Sequence, residues 1–512
     1  MANFYQTLFK FQLLKTMRRI FIRFILLSIS VFFLAAPAFA ADYKTDYVVE
    51  YFVKDEGQNI TVHTKFTITE TNQRSDIVIK KLSLVFPKGF TIRNIASTDK
   101  GGNVAVETTS DELTTTLGLP LNNPQVGKGL QNIVNVDFDQ DNLFQVNGNV
   151  WEVLLPTIND PEVQNYKIIV HLPESTNKKI SIAKPVPTTI HGKDIIWENP
   201  HTRTVQAVFG DKQYYALKLD YHLRNSKDSA VYTDIAFPPD TQYQKVYVTS
   251  IVPSPADAQL DDDGNYLGRY TLRGHEALDI SFTGVVEVSS TPYTSMKQYT
   301  TDRFQAQKGY LLADPPLWHV DNIGLLPSAK TPNEIHSWLV HNFSYNFERL
   351  NAPSSRMGAE QALMQPTKVV CTEYSDTFIA SARERGVYSR EIQGFGYSRD
   401  QFFRPLSLAS DILHSWPEYY DEVSGVWHQI DPTWESTSGI DYFSSLDLNH
   451  IAFVIHGRAP DYPYPAGAYK VANSKDVNVS VTDGRPEEKI SLVLQSAKVP
   501  TAIIAGNLYE IQ

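Results

Sequence analysis

The chain predicts a multidomain protein in which all-β, sandwich-like domains come first and an α+β domain follows. Three observations lead there. Its 512 residues exceed what one hydrophobic core supports, and three or four domains is the ordinary expectation. Residues 42 to about 290 read as short alternating or apolar runs between polar turns, with no helical periodicity lasting beyond a turn or two. From about 290 helix signals set in, and strand-like runs return only after residue 388, which is an α+β order.

The first 40 residues differ in kind. Lys15, Arg18, Arg19 and Arg23 precede an apolar run from Phe24 to Ala36, and Ala38-Phe39-Ala40 supplies a small-x-small cleavage site. Residues 1–40 therefore read as a secretory signal peptide, with Met17 an alternative start. The apolar run of about 13 residues is short of the roughly 20 needed to span a bilayer, so cleavage is expected rather than anchoring. The rest, with 41 Lys and Arg against 57 Asp and Glu, carries a charge of −16. A chain that acidic, with no basic patch, is not expected to bind nucleic acid. Export would place it outside the cytoplasm, secreted or at the cell surface. A membrane then enters only through a retained signal or an anchor beyond the present C-terminus.

Two sandwich-like domains are expected at 41–175 and 176–295, divided where Pro173, Pro185 and Pro187 cluster. Tyr47–Val53, Ile77–Ile79 and Lys167–Val170 read as strands. Gly101-Gly102-Asn103, Asn147-Gly148-Asn149 and Asp263-Gly264-Asn265 read as turns, through residues that tolerate positive φ. Asp261-Asp262-Asp263-Gly264 invites a calcium loop, but Gln259 holds the first ligand position and no glutamate holds the twelfth, so a hairpin turn is expected.

The α+β domain is expected at 296–475. Thr331-Pro332-Asn333-Glu334 places a cap, an N1 proline and an early acid ahead of Ile335, Trp338 and Leu339, which predicts a helix. A second short helix is expected at 359–365 and a third from Cys371 to Arg385, with Tyr374, Phe378, Ile379 and Ala382 on one face and Gly386 ending it. Ser389–Phe395, Ser415–Tyr420 and Val426–Ile430 follow as strands. Residues 476–512 read as the start of a further β segment, with strands at 490–494 and 501–504, stopping in mid-pattern as a truncated reading would.

Cys371 is the only cysteine, so it has no disulfide partner within the chain, and it opens the third helix. His414-Ser415-Trp416 begins 43 residues later, and Asp431-Pro432-Thr433 begins 17 after that. A thiol, an imidazole and a carboxylate in this order are the parts of a papain-type triad. A free thiol ionises near pH 8.5, and a helix N-terminus and a neighbouring imidazolium both favour the thiolate. His414 would carry the proton and Asp431 would orient it, while the Cys371 backbone N–H would be the first oxyanion donor. Gln365, six residues upstream, stands at the papain-like spacing for a second donor. Trp416 and Trp427 are expected in the core. Neither His-Glu-x-x-His nor a paired-cysteine pattern occurs among the 13 histidines and one cysteine, so no metal or organic cofactor is implied.

Residues 338–433 resemble the transglutaminase-like branch of the papain-fold cysteine enzymes. The resemblance rests on Trp338-Leu339, Phe343-Ser344-Tyr345, the Cys371 helix and Arg383-Glu384-Arg385-Gly386-Val387. It continues through Arg390–Phe395, His414-Ser415-Trp416-Pro417-Glu418 and Trp427–Thr433. Val369 departs from the family's usual glycine, and Ser375 and Ser415 from its usual alanines. The resemblance implies a papain-like fold for 296–475 and an exported thiol enzyme acting on protein or peptide amides, such as those of a cell-envelope component, through a thioester passed to water or an amine. The alternative is a cell-surface scaffold with an inactive papain-like domain, binding through its β-sandwiches.

Overall fold

The computed structural model describes residues 42–486, apart from 56–59, 88–90, 113, 142, 159–162, 203, 352–354, 398–412 and 472–473. The expected signal peptide and the strands at 490–494 and 501–504 lie outside the described residues. Among the described residues no helix is long and apolar enough to cross a membrane.

Strand follows strand from Tyr43 to Ser289, as the alternating pattern predicts. Ile60–Asn72 shows why: its residues alternate strictly between buried and half-buried, the period of a strand with one face on a core. Eight strands form one sheet in the order 189–191, 194–198, 163–171, 43–55, 60–72, 131–141, 91–99 and 102–103. A four-stranded sheet (180–184, 204–209, 150–156, 144–147) and a three-stranded one (81–87, 114–120, 107–110) share its core, through Val62, Leu84, Leu117, Val153, Ile168 and Phe209. The cut expected at 175/176 therefore falls inside these sheets. Ile180–Lys184 pairs with Thr204–Phe209, which pairs with Val150–Pro156, and Asp194–Glu198 pairs with Val163–His171. The sheets change over near Gly210 instead, at φ +110. The proline cluster marks loops within one unit, where a missing N–H is harmless. Ile77–Ile79 is not a strand. It runs through a loop that buries Ile79 and exposes Val78.

A second β unit comprises a sheet in the order 244–252, 277–289, 212–224 and 477–481, with a three-stranded sheet of 231–237, 266–272 and 257–260. Val477–Val481 pairs antiparallel with Lys212–Arg224, Tyr215 opposite Val481 and Leu219 opposite Val477. Within the described residues, then, the segment from 476 does not begin a separate β unit. It returns to complete a sheet begun more than 250 residues earlier.

Between these lie the helices Lys297–Gln307, Pro332–Asn342, Gly358–Met364, Cys371–Glu384 and Pro432–Ser438, and an antiparallel sheet in the order 426–429, 414–421, 389–396 and 450–456. Thr331 caps its helix in a capping box with Glu334. Gly386 ends the Cys371 helix at φ +75, a conformation glycine reaches without a Cβ clash. That helix is buried on nearly every side rather than on one face, with Ser375, Asp376, Thr377 and Ser381 at 0 % exposure. It is the central element of the unit. The strand His450–His456, buried at all seven positions, was not anticipated.

Its outer edge is covered by side chains of the second β unit. Gln244 donates to the Ala452 carbonyl and accepts from the Ala452 N–H, both at 2.9 Å. Asn265 does the same for Ile455 at 2.8 and 2.7 Å. The Gly457 N–H donates to Asp263 at 2.9 Å. The Asp263-Gly264-Asn265 turn thus docks one unit on the other. Asn265→Leu strands a buried N–H and carbonyl, so unfolding in urea is expected to lose on the order of 2 kcal/mol relative to the wild type.

Candidate functional site

Three elements bring Cys371, His414 and Asp431 together. Cys371 is the first residue of its helix, so its backbone N–H has no intrahelical acceptor. His414 opens the strand His414–Asp421. Asp431 caps the helix Pro432–Ser438, an element absent from the sequence-based expectations, although an Asp cap ahead of an N1 proline is a helix start signal.

The Asp431 carboxylate is fully buried and saturated with donors. Oδ1 accepts from the backbone N–H groups of Thr433 (2.9 Å) and Trp434 (3.0 Å). Oδ2 accepts from His414 Nε2 (2.7 Å) and from His450 Nε2 (3.0 Å). Burial alone would raise its pKa, but His414 and His450 more than offset that and hold the carboxyl well below the usual range. With Nε2 on Asp431, the ring of His414 has Nδ1 left for the thiol, and Cys371 is among the groups that favour its imidazolium. Burial opposes the imidazolium, Asp431 and then Cys371 favour it, and the balance pushes the pKa up to about 9. Trp434 stacks on the ring at 5.2 Å and fixes its plane. Cys371 itself is buried, with 6 % of its surface exposed.

The ligand atoms of His414, Asp431 and His450 lie within 4.8 Å of one another. At 2.7 and 3.0 Å, each nitrogen shares a proton with the same oxygen, and the hydrogen bonds account for the cluster without an ion.

Gln365 is half-buried at the C-terminal end of the helix Gly358–Met364. Its backbone caps that helix, and among the described contacts its side chain has no hydrogen bond to the triad. Tyr345 comes closer to the part assigned to it. It forms a parallel bridge with Val369, two residues before Cys371, and the Asn346 N–H donates to the Val369 carbonyl at 2.9 Å. Its hydroxyl is buried and has no partner among the described residues. Burial, then the charges of Cys371, Glu373 and Asp431, raise its pKa far above the usual phenol, so it stays a neutral O–H. Phe343-Ser344-Tyr345 was legible as a motif, but its role was not. Val369 is fully buried beside Ile335, Leu339 and Tyr374 and is not among the residues with positive φ, so glycine's freedom is not required there.

Residues 321–432 match the family model of the transglutaminase-like superfamily, a span that takes in Cys371, His414 and Asp431. This stretch is a transglutaminase-like domain. No curated protein matches the chain. Among solved structures, a candidate cysteine protease from Cytophaga hutchinsonii is similar over 53 % of this chain and 99 % of its own, at 12 % identity and a TM-score of 0.31. The periplasmic domain of TgpA from Pseudomonas aeruginosa is similar over 44 % and 89 %, at 15 % identity and a TM-score of 0.24. At such scores neither bears on fold or chemistry.

Beside Cys371, His414 and Asp431, the transglutaminase-like domain holds a buried polar network. The Arg356 guanidinium lies between Asp376, on the Cys371 helix, and Glu391, on the strand beside His414. Glu391 also meets His456 Nδ1 at 3.1 Å and accepts the Ser415 hydroxyl at 2.6 Å. A hydroxyl has one proton, so the Ser375 hydroxyl, 2.8 Å away, is the donor to Ser415. The two serines that replace the family's alanines are thus partners, joining the helix of Cys371 to the strand of His414. Burial pushes Asp376 up despite Arg356, and Glu391 is held low because Arg356 and His456 outweigh its burial. Removing the cation leaves two buried carboxylates facing each other. Arg356→Met is therefore expected to cost about 3–5 kcal/mol at pH 7, measured by equilibrium denaturation.

Proposed function

We propose that the chain is an exported thiol enzyme that cleaves or exchanges amide bonds of proteins or peptides, with Cys371 as nucleophile, His414 as proton carrier and Asp431 as its orienting carboxylate. The observation that carries this reading is the buried His414–Asp431 hydrogen bond, with Cys371 among the groups acting on His414 from the N-terminus of a helix.

The Cys371 sulfur attacks the amide carbonyl carbon, and the developing oxyanion takes the Cys371 backbone N–H. As second donor we assign the unpartnered Tyr345 hydroxyl in preference to Gln365. The His414 imidazolium passes its proton to the departing nitrogen, the C–N bond breaks, and a thioester remains. Neutral His414 then takes a proton from water or an acceptor amine as that group attacks the thioester, and the thiolate leaves. No cofactor enters these steps. The acidic charge and the N-terminal segment support an extracytoplasmic setting and a protein or peptide substrate, such as a cell-envelope component, rather than nucleic acid. The convergence of the triad weighs against the inactive-scaffold alternative.

Two experiments test this. At pH 6, iodoacetamide is expected to alkylate Cys371 at least about tenfold faster in the wild type than in His414→Ala, because the imidazolium favours the thiolate. Equal rates would sink the reading. With p-nitrophenyl acetate as acyl donor, the wild type is expected to give a nitrophenolate burst and an acetyl group on the Cys371 peptide. Tyr345→Phe is expected to slow the burst by about 10²–10³-fold while leaving the alkylation rate at pH 6 unchanged, the signature of a lost oxyanion donor.

A further inference from the structure

We propose that His450 is a positioning residue of the triad, a buried imidazolium clamped between Asp447 and Asp431 that divides the Asp431 carboxylate between two histidines and so limits its hold on His414. This deepens the reading of the triad as a catalytic site and rests on it. His450 lies outside the span of the family match, which ends at residue 432.

Both nitrogens of the His450 ring face carboxylate oxygens. Nδ1 is 2.8 Å from Asp447 Oδ1, and Nε2 is 3.0 Å from Asp431 Oδ2. A neutral imidazole carries a single N–H. One of the two contacts would then set a nitrogen lone pair against a carboxylate lone pair at hydrogen-bond distance. Only the doubly protonated ring satisfies both. Burial opposes that charge, but Asp447 and Asp431 outweigh it and raise the pKa of His450.

The surroundings hold the ring rather than solvate it. Trp434 lies at 4.5 Å and Trp416 at 5.0 Å between ring centroids. Asp447 is fixed in turn by the Tyr442 hydroxyl (3.1 Å) and the Asn449 N–H (2.9 Å). The charged and titratable groups facing the two histidines are Asp431, Asp447 and Cys371, with Tyr442 beside His450 and Lys184 of the first β unit 3.6 Å over the Tyr442 ring.

The consequence has a definite sign. The His450 cation sits on the same oxygen that bonds His414, with the two rings 5.5 Å apart. It weakens the pull of Asp431 on the His414 proton. A less tightly held proton is more readily passed to a departing amine, which the proposed amide chemistry requires. Removing the His450 charge returns the whole carboxylate to His414, which then keeps its proton to higher pH.

The test is the pH dependence of iodoacetamide alkylation of Cys371 in the wild type, His450→Gln and Asp447→Asn. In the wild type the profile is expected to show an upper transition as His414 loses its proton. In His450→Gln that transition is expected to move up by about one pH unit. Asp447→Asn leaves the imidazole in place but removes the carboxylate that keeps it charged, and is expected to shift the transition the same way. An unmoved or lowered transition in variants whose circular dichroism and thermal midpoint match the wild type would overturn the proposal and leave the triad standing. A wild-type profile with one ordinary thiol transition near 8.5 would remove the triad reading and this proposal with it.

Discussion

The Asp431 carboxylate is the constraint on which the rest of the site depends. A carboxylate at 0 % exposure is costly unless every lone pair is engaged, and here one oxygen takes two backbone N–H groups while the other takes two imidazoles. The same side chain therefore starts the helix Pro432–Ser438, sets the tautomer of His414 and anchors the loop before the last strand of the sheet. Its backbone N–H, bonded to the Tyr442 carbonyl at 3.0 Å, ties that loop down a second time. Few substitutions of Asp431 would preserve all of these roles at once.

The β units take part in this arrangement. A sheet edge with free N–H and carbonyl groups must be covered or paired, and the edge of His450–His456 is covered by Gln244 and Asn265, whose amides each supply one donor and one acceptor. The strand so fixed begins with His450. The first β unit reaches the same region, with Asn449 donating to Glu152 at 3.1 Å and Leu154 packing beside Trp434 and Tyr442. Both β units thus contribute to the surroundings of His414, Asp431 and His450.

A second layer of buried charge holds the Cys371 helix to the strands of Glu391 and His414. Arg356, Asp376 and Glu391 compensate one another's burial, and they also satisfy the Trp318 indole N–H, the Ser415 hydroxyl and His456. What the ions and the Ser375–Ser415 pair add is direction. Each hydrogen bond has one geometry, so the helix cannot slide along the sheet without breaking several.

The amino-acid sequence by itself determined the features that close within a few residues. Thr331 and Glu334 satisfy each other's helix start, Gly386 takes a left-handed turn, Ile60–Asn72 alternates to one face, and Cys371 opens a helix. The order of cysteine, histidine and aspartate was legible for the same reason, since each stands in a short recognisable run. Tertiary structure alone decided what joins distant residues of ordinary type. It set the change of sheets near Gly210, the return of Val477–Val481 to an earlier strand, the unpartnered hydroxyl of Tyr345 and the second histidine on Asp431. Gln244 and Ala452 stand 208 positions apart, and no local pattern of a glutamine or an alanine marks that pairing. Backbone groups at a turn or helix end must find partners nearby, whereas a buried side chain takes whichever partner the packed core brings to it.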